Sequence, residues 1–291
     1  MTILNANGYR LADVCALVGI TRQAYYKRLH SGQTKSDLYN SLERLIIENR
    51  KQKSRAGLRS IFYKEQIQGM VGINQFENAM STRGYSLKPY RSYIKTTDSR
   101  GYHYKYDNLV SGLKLNGENQ VIVGDITYFN YKLDLYYIFH FVDVYTLEVK
   151  GLIAGTTMEG AYAEMVLRQV FTYNNKRKYK YEMFIHTDGG GQYRSHKFQS
   201  MLCKAQIRPS QAKTCFENGL SERLNGIIKN EYLIDHEIKN LSQLNSILKK
   251  IKQQINEVWP SARLGYKTPK AYACEVRAMK TSERPIKEIK K

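Results

Sequence analysis

Asp125, Asp188 and Glu222 are the side chains of this sequence whose types and settings suit joint chemistry. Asp125 closes the apolar run Val121-Ile122-Val123-Gly124, and Asp188 follows the strand-like Met183-Phe184-Ile185-His186-Thr187. Glu222 lies in a stretch with helical spacing, Gly219-Leu220-Ser221-Glu222-Arg223-Leu224-Asn225-Gly226. Acids at two strand ends and on a helix can gather hard divalent cations, which take oxygen ligands. Two Mg²⁺ or Mn²⁺ ions about 4 Å apart serve the attacking and leaving oxygens of a phosphodiester transfer. In that arrangement Asp125 bridges the ions and Asp188 and Glu222 each hold one.

Each acid also has a local reading. Asp125 can cap a strand, Asp188 can start a turn, and Glu222 can be a surface helix residue. Asp143, at the end of a neighbouring strand, competes for the metal role, although local hydrogen bonding suits it better. His186 and His140 read as packed, hydrogen-bonded histidines. Helical spacing puts Glu222, Gly226 and Lys229 on one face, which directs Lys229 towards a nucleic acid beside the metals. Gly189-Gly190-Gly191 reads as a close turn that lets a strand of DNA approach Asp188.

The elements that must carry these residues are legible in outline. Val121 to Phe129, Leu135 to Val144 and Glu148 to Ala154 are rich in β-branched and aromatic residues and read as strands. Thr157 to Tyr173 reads as an amphipathic helix. A strand at Tyr181 to Thr187, a helix at Phe198 to Ala205, a short strand at Gln206 to Pro209 and a helix from Gly219 follow. This order predicts a mixed sheet covered by helices, as in a ribonuclease-H-like domain.

Upstream, Leu11 to Val18, Gly19 and Thr21 to His30 read as a helix-turn-helix. Arg22, Lys27 and Arg28 on its second helix suit DNA contact. Ser31 to Thr34 reads as a linker before a long helix at Leu38 to Lys51. Leu58 to Gln66 and Asn74 to Ser81 read as a second helix-turn-helix around Gly72. Tyr90 to Asn116 is a basic, tyrosine-rich connector in which Arg91, Lys95, Arg100, Lys105 and Lys114 can track a phosphate backbone. The expected units are therefore residues 1–32, 33–118, 119–235 and 236–291.

Composition narrows the partners. Among 291 residues, 46 Lys and Arg face 26 Asp and Glu, a formal net charge of +20. Such an excess implies a polyanionic partner, because each phosphate contact releases condensed counterions. With 42% hydrophobic residues the chain can bury a core. Its most apolar stretch, Leu135 to Val142, is too short to span a bilayer. With no apolar leader in Met1 to Arg10, the expectation is an intracellular protein. Cys15, Cys203, Cys215 and Cys274 lack zinc spacing and are expected to be buried, reduced thiols. Neither a Gly-x-Ser-x-Gly elbow nor a Walker loop is present, which disfavours a serine hydrolase and an ATP-driven motor.

Three segments resemble the acidic motifs of insertion-sequence transposases of the IS-three family, whose catalytic core is shared with retroviral integrases. They are Gly124-Asp125-Ile126-Thr127-Tyr128, His186-Thr187-Asp188-Gly189-Gly190-Gly191-Gln192-Tyr193, and Glu217-Asn218-Gly219-Leu220-Ser221-Glu222 followed by Lys229. The tail Leu264-Gly265-Tyr266-Lys267-Thr268-Pro269 is similar to the family's C-terminal signature. Gly189 stands where that family usually has arginine. The resemblance implies a DDE transposase with an integrase core and N-terminal helix-turn-helix units. It further implies Mg²⁺-dependent (or Mn²⁺-dependent) cleavage and transfer of double-stranded DNA at element ends, by a homo-oligomer in the bacterial cytoplasm at the nucleoid. Asp125, Asp188 and Glu222 carry over as catalytic metal ligands and Lys229 as a DNA contact. A non-catalytic DNA-binding regulator and a ribonuclease-H-like nuclease are the alternatives.

Overall fold

The computed structural model describes residues 10–88, 106–174, 182–212 and 219–289. Arg91, Lys95, Arg100, Lys105, Cys215, Glu217 and Asn218 lie outside them.

The centre is a five-stranded sheet of β2 (Val121–Tyr131), β3 (Asp134–Asp143), β4 (Val149–Gly155), β5 (Phe184–Thr187) and β6 (Arg208–Gln211), in the order β4-β3-β2-β5-β6. A short β1 (Lys114–Leu115) precedes it. The first three strands of the sheet are an antiparallel meander, and β5 and β6 then run parallel to β2. This is the mixed sheet that the order of predicted elements implies.

Strand alternation sorts the apolar residues into two layers. Ile122, Phe139, Phe141 and Ile153 face α5 (Gly160–Asn174) and α6 (His196–Lys204), with Ala163, Val166, Val170 and Phe198 buried against them. Val121, Val123, Ile138 and Val142 face the opposite layer, formed by α7 (Gly219–Gly226) and α8 (Leu241–Glu257). Gly124 belongs to the first layer, where an added Cβ would lie 2.1 Å from the Phe141 ring.

Helix α8 packs against the sheet. Its Leu244, Leu248 and Ile251 are buried in the same cluster as Val121 and Val123. Its asparagines also close the free edge of β4. Asn245 accepts from Ala154 N at 2.8 Å and donates to Ala154 O at 3.1 Å. Asn256 does the same for Val149, at 2.8 and 3.0 Å. Side-chain amides thus satisfy backbone groups that an edge strand leaves unpaired.

The segment from residue 10 to residue 88 is helical: α1 (Leu11–Leu17), α2 (Arg22–Gln52), α3 (Leu58–Lys64) and α4 (Ile73–Thr82). Gly19 turns the chain at φ +69°, and Thr21 caps α2 by accepting from Ala24 N at 3.1 Å. The expected linker at Ser31 to Thr34 is corrected: it lies inside the 31-residue α2. One interior glycine costs only about 1 kcal/mol relative to alanine, too little to break a helix with good formers on both sides. Residue 32 therefore lies within continuous helix.

Packing ties these helices to the core. Leu42, Ile46, Phe62 and Phe76 share a buried cluster with Ile228, Tyr232 and Trp259. Tyr63 of α3 stacks on Tyr266 of the C-terminal tail, with ring centroids 3.7 Å apart and planes 18° from parallel. β7 (Lys287–Glu288) pairs antiparallel with β1, after α9 (Pro269–Ala278). Among the cysteines, Cys15 is buried, but Cys203 and Cys274 are exposed free thiols, correcting the expectation for those two. Both fall on outward positions of amphipathic helices. Among the described residues, no helix is long and apolar enough to cross a membrane.

Candidate active site

Sheet register brings the first two acids to adjacent strands. β2 and β5 pair in parallel through Val123 and His186, and Asp125 and Asp188 each stand two residues further on. Asp125 has the parity of Val121 and Val123, so its side chain falls on the face covered by α7. Asp188 is exposed just beyond β5, where its Oδ1 accepts from Gly190 N at 3.0 Å. Gly189 makes that turn at φ +76°, and a Cβ there would lie 2.2 Å from the Gln211 amide. The glycine is therefore required for both conformation and space. Glu222 is exposed in the first turn of α7, and its neighbours Ser221 and Leu224 are buried.

The three acids share one electrostatic field. Burial pushes the Asp125 carboxyl up to about 7, and the charges of Asp188 and then Glu222 push in the same direction. Hydrogen bonding from the Ile126 backbone and the Asn225 side chain opposes the rise. Tyr193, buried nearby, has its phenol held well above the ordinary value by burial and by Asp125 and Asp188. A crowded set of oxygen anions is the donor chemistry that a hard divalent cation relieves. Among the described residues, no three acid, histidine or cysteine side chains form a closed metal-binding group. The donor set fits in type, in a spread arrangement.

Lys229 enters from a widened helical turn. Residues Ile227–Tyr232 are π-helical, so each turns through a smaller angle than in an α-helix, and the simple helical face of Glu222, Gly226 and Lys229 does not persist. The Lys229 ammonium donates to Thr127 Oγ1 at 2.7 Å and to Tyr128 O at 3.3 Å, along β2. Burial lowers its pKa, while the charge of Asp125 opposes that shift. Arg22, Lys27 and Arg28 are exposed on the first turns of α2, and none makes a hydrogen bond or ion pair to a described residue.

Asp143 has the local role expected of it. It is fully buried and accepts from Asn119 N at 2.6 Å, Thr146 N at 2.7 Å and Thr146 Oγ1 at 2.8 Å. His186 Nδ1 lies 2.9 Å from Ser210 Oγ, which also accepts from Leu109 N at 2.9 Å.

Asn225 is a site residue that sequence pattern alone does not single out. Its Nδ2 donates to Asp125 Oδ2 at 2.9 Å, and its Oδ1 lies 2.9 Å from His140 Nε2. Its place three residues after Glu222, on the same side of a helix, was a usable signal. His140 is directly opposite Asp125 in the β2–β3 register and is wholly buried. Burial lowers its pKa to about 4, partly offset by the Asn225 contact, so the imidazole is neutral near pH 7.

A meander followed by two parallel strands, with helices on both faces, is a ribonuclease-H-like sheet. The family model described as an integrase core domain matches residues 116–214, and a second of the same description matches residues 204–269. The transposase of insertion sequence element IS904 from Lactococcus lactis is 25% identical over 208 residues, covering 70% of this chain and 81% of the relative. The putative transposase InsK of element IS150 from Escherichia coli is 24% identical over 272 residues, covering 91% and 93%. A solved HTLV-2 integrase catalytic core in complex with magnesium aligns at 24% identity and a TM-score of 0.42, over 53% of this chain and 94% of that one. The chain belongs to the IS-three family of insertion-sequence transposases, which are polynucleotidyl transferases.

Proposed function

We propose that Asp125, Asp188 and Glu222 are the catalytic metal ligands with which this transposase cuts DNA at the ends of its element and joins the freed end elsewhere. The reading rests on one observation: β2 and β5 pair in parallel through Val123 and His186, which sets Asp125 and Asp188 at adjacent strand ends, and the helix carrying Glu222 is tied to Asp125 through Asn225. The acids come from three elements, 63 and 34 residues apart in sequence (188 − 125 and 222 − 188). Two Mg²⁺ or Mn²⁺ ions, when bound, neutralise the attacked phosphate and support both the entering and the departing oxygen.

The chain's own residues do the rest. Asp125 offers carboxylate oxygen from the rigid centre of the sheet, with Oδ2 held by Asn225. Gly189 turns the chain at φ +76° directly after Asp188, where a side chain would meet the Gln211 amide. Lys229, placed along β2 at Thr127 and Tyr128, supplies positive charge for a DNA phosphate beside the acids. In the first reaction a water oxygen bonds to phosphorus and the 3′ oxygen leaves. In the second, that 3′ hydroxyl attacks another phosphodiester, forming one P–O bond as one breaks. Arg22, Lys27 and Arg28 contact duplex DNA away from this centre, and the net charge of +20 favours such binding. A homo-oligomer working on the bacterial nucleoid would present paired centres to the two ends and the target.

The test is joining of labelled end DNA to a target duplex in Mg²⁺. The expected result is metal-dependent joined product that an Asp188→Asn variant does not form. Cleavage without joining would make the protein a nuclease, and tight binding without metal-dependent chemistry would make it a regulator.

A further inference from the structure

We infer that His140 and Asn225 form a positioning chain that fixes the Asp125 carboxylate for its cation. His140 Nε2 is 2.9 Å from Asn225 Oδ1, and Asn225 Nδ2 is 2.9 Å from Asp125 Oδ2. The polarity of this chain is set from the acid end. Asp125 accepts, so the asparagine must turn its amide N–H towards it and its carbonyl oxygen towards the histidine. His140 therefore carries its proton on Nε2 and donates. Nδ1 has no partner among the described residues. A bare buried acceptor is tolerable there, whereas the reverse tautomer would leave a buried N–H unsatisfied and set carbonyl oxygen against carboxylate.

Reach and rigidity argue for positioning over filling. His140 is fully buried on β3, directly across from Asp125 in register, so the imidazole cannot swing away. Asn225 sits on the helix that also carries Glu222, so the same link sets the distance between two of the three acids. The amide holds Oδ2, which fixes the plane of the carboxylate. Groups that orient a ligand in this way commonly contribute on the order of tenfold to metal affinity.

The inference rests on Asp125 being a metal ligand, and one experiment separates the two claims. Mn²⁺ is titrated into the full chain without DNA, and free Mn²⁺ is followed by electron paramagnetic resonance. Melting temperature in chelator is recorded in parallel. Asp125→Asn should abolish binding at the site. His140→Met, which fills the space without a donor, should raise the dissociation constant on the order of tenfold. His140→Gln, whose Nε2 can donate, should recover most of the affinity. Asn225→Leu should match His140→Met, and it serves as the second variant if the methionine protein does not fold. Unchanged Mn²⁺ affinity in His140→Met or Asn225→Leu, with loss in Asp125→Asn, overturns the positioning chain even if melting temperature falls. Wild-type affinity in Asp125→Asn overturns the ligand reading, and the inference with it.

Discussion

The ring of Tyr63 lies flat on that of Tyr266, and this stack joins the N-terminal helices to the C-terminal tail. The two residues are 203 apart in sequence (266 − 63), and Lys53 is held close by, 2.7 Å from Glu231 and over the Trp259 ring. Tyr63→Ala is expected to destabilise the protein by about 1–2 kcal/mol, through removal of the ring stack and of the apolar area it buries. Tyr63→Phe should stay within a few tenths of wild type. Urea unfolding of the three proteins checks this, and equal midpoints for the alanine and wild-type chains would contradict it.

Gly189→Ala should fail for two separable reasons. The left-handed backbone there costs an alanine roughly 1–2 kcal/mol, and its Cβ would collide with Gln211. Combining it with Gln211→Ala relieves only the collision. The double variant is expected to melt higher than Gly189→Ala and still below Gln211→Ala alone, with strand transfer impaired in both proteins that carry alanine at 189.

Asp125→Asn should stabilise the metal-free protein while abolishing catalysis. The folded carboxyl titrates at about 7, against an ordinary value of 3.8. Between those values the folded chain binds more protons than the unfolded one, so this group subtracts stability as pH rises from about 4 to about 7. Removing it should raise stability at pH 8 in chelator by about 1–3 kcal/mol, discounted for partial solvent access. It should also flatten the pH dependence across that window. Denaturant midpoints at pH 5 and pH 8 decide the matter.

Arg22, Lys27 and Arg28 are expected to act together on DNA. Replacing all three with glutamine should weaken end-DNA binding and reduce the slope of log K against log salt by about 0.9 for each phosphate that is no longer neutralised. The melting temperature should stay near wild type, because all three side chains are exposed. Fluorescence anisotropy over a series of salt concentrations reads both quantities.

Much of the catalytic framework was legible because it depends on local pattern. Val121, Val123 and Ile122 alternate between two covered faces, and the strand periods and the turn at Gly189 follow from residue type. What escaped depends on long-range register or on weak signals outweighed by context. The link from His140 through Asn225 to Asp125 exists only once β3 lies against β2 and α7 covers them. Ser31-Gly32-Gln33-Thr34 has the composition of a linker, yet cooperative helix on both sides absorbs it. Nothing in Ile227 to Tyr232 announces a π-helical turn, which rotates Lys229 back along β2.

The uninterrupted run of α2 has a mechanical consequence. A helix of 31 residues is a strut about 46 Å long at 1.5 Å per residue. Its far end is anchored by Leu42 and Ile46, so α1 rides on a shaft and not on a tether. One alanine inserted beside Gly32 would advance whatever α1 grips by about 1.5 Å and swing it through about 100°. Four would nearly restore its heading. Such a shaft measures both span and azimuth, and a stretch with the composition of a hinge instead transmits torque.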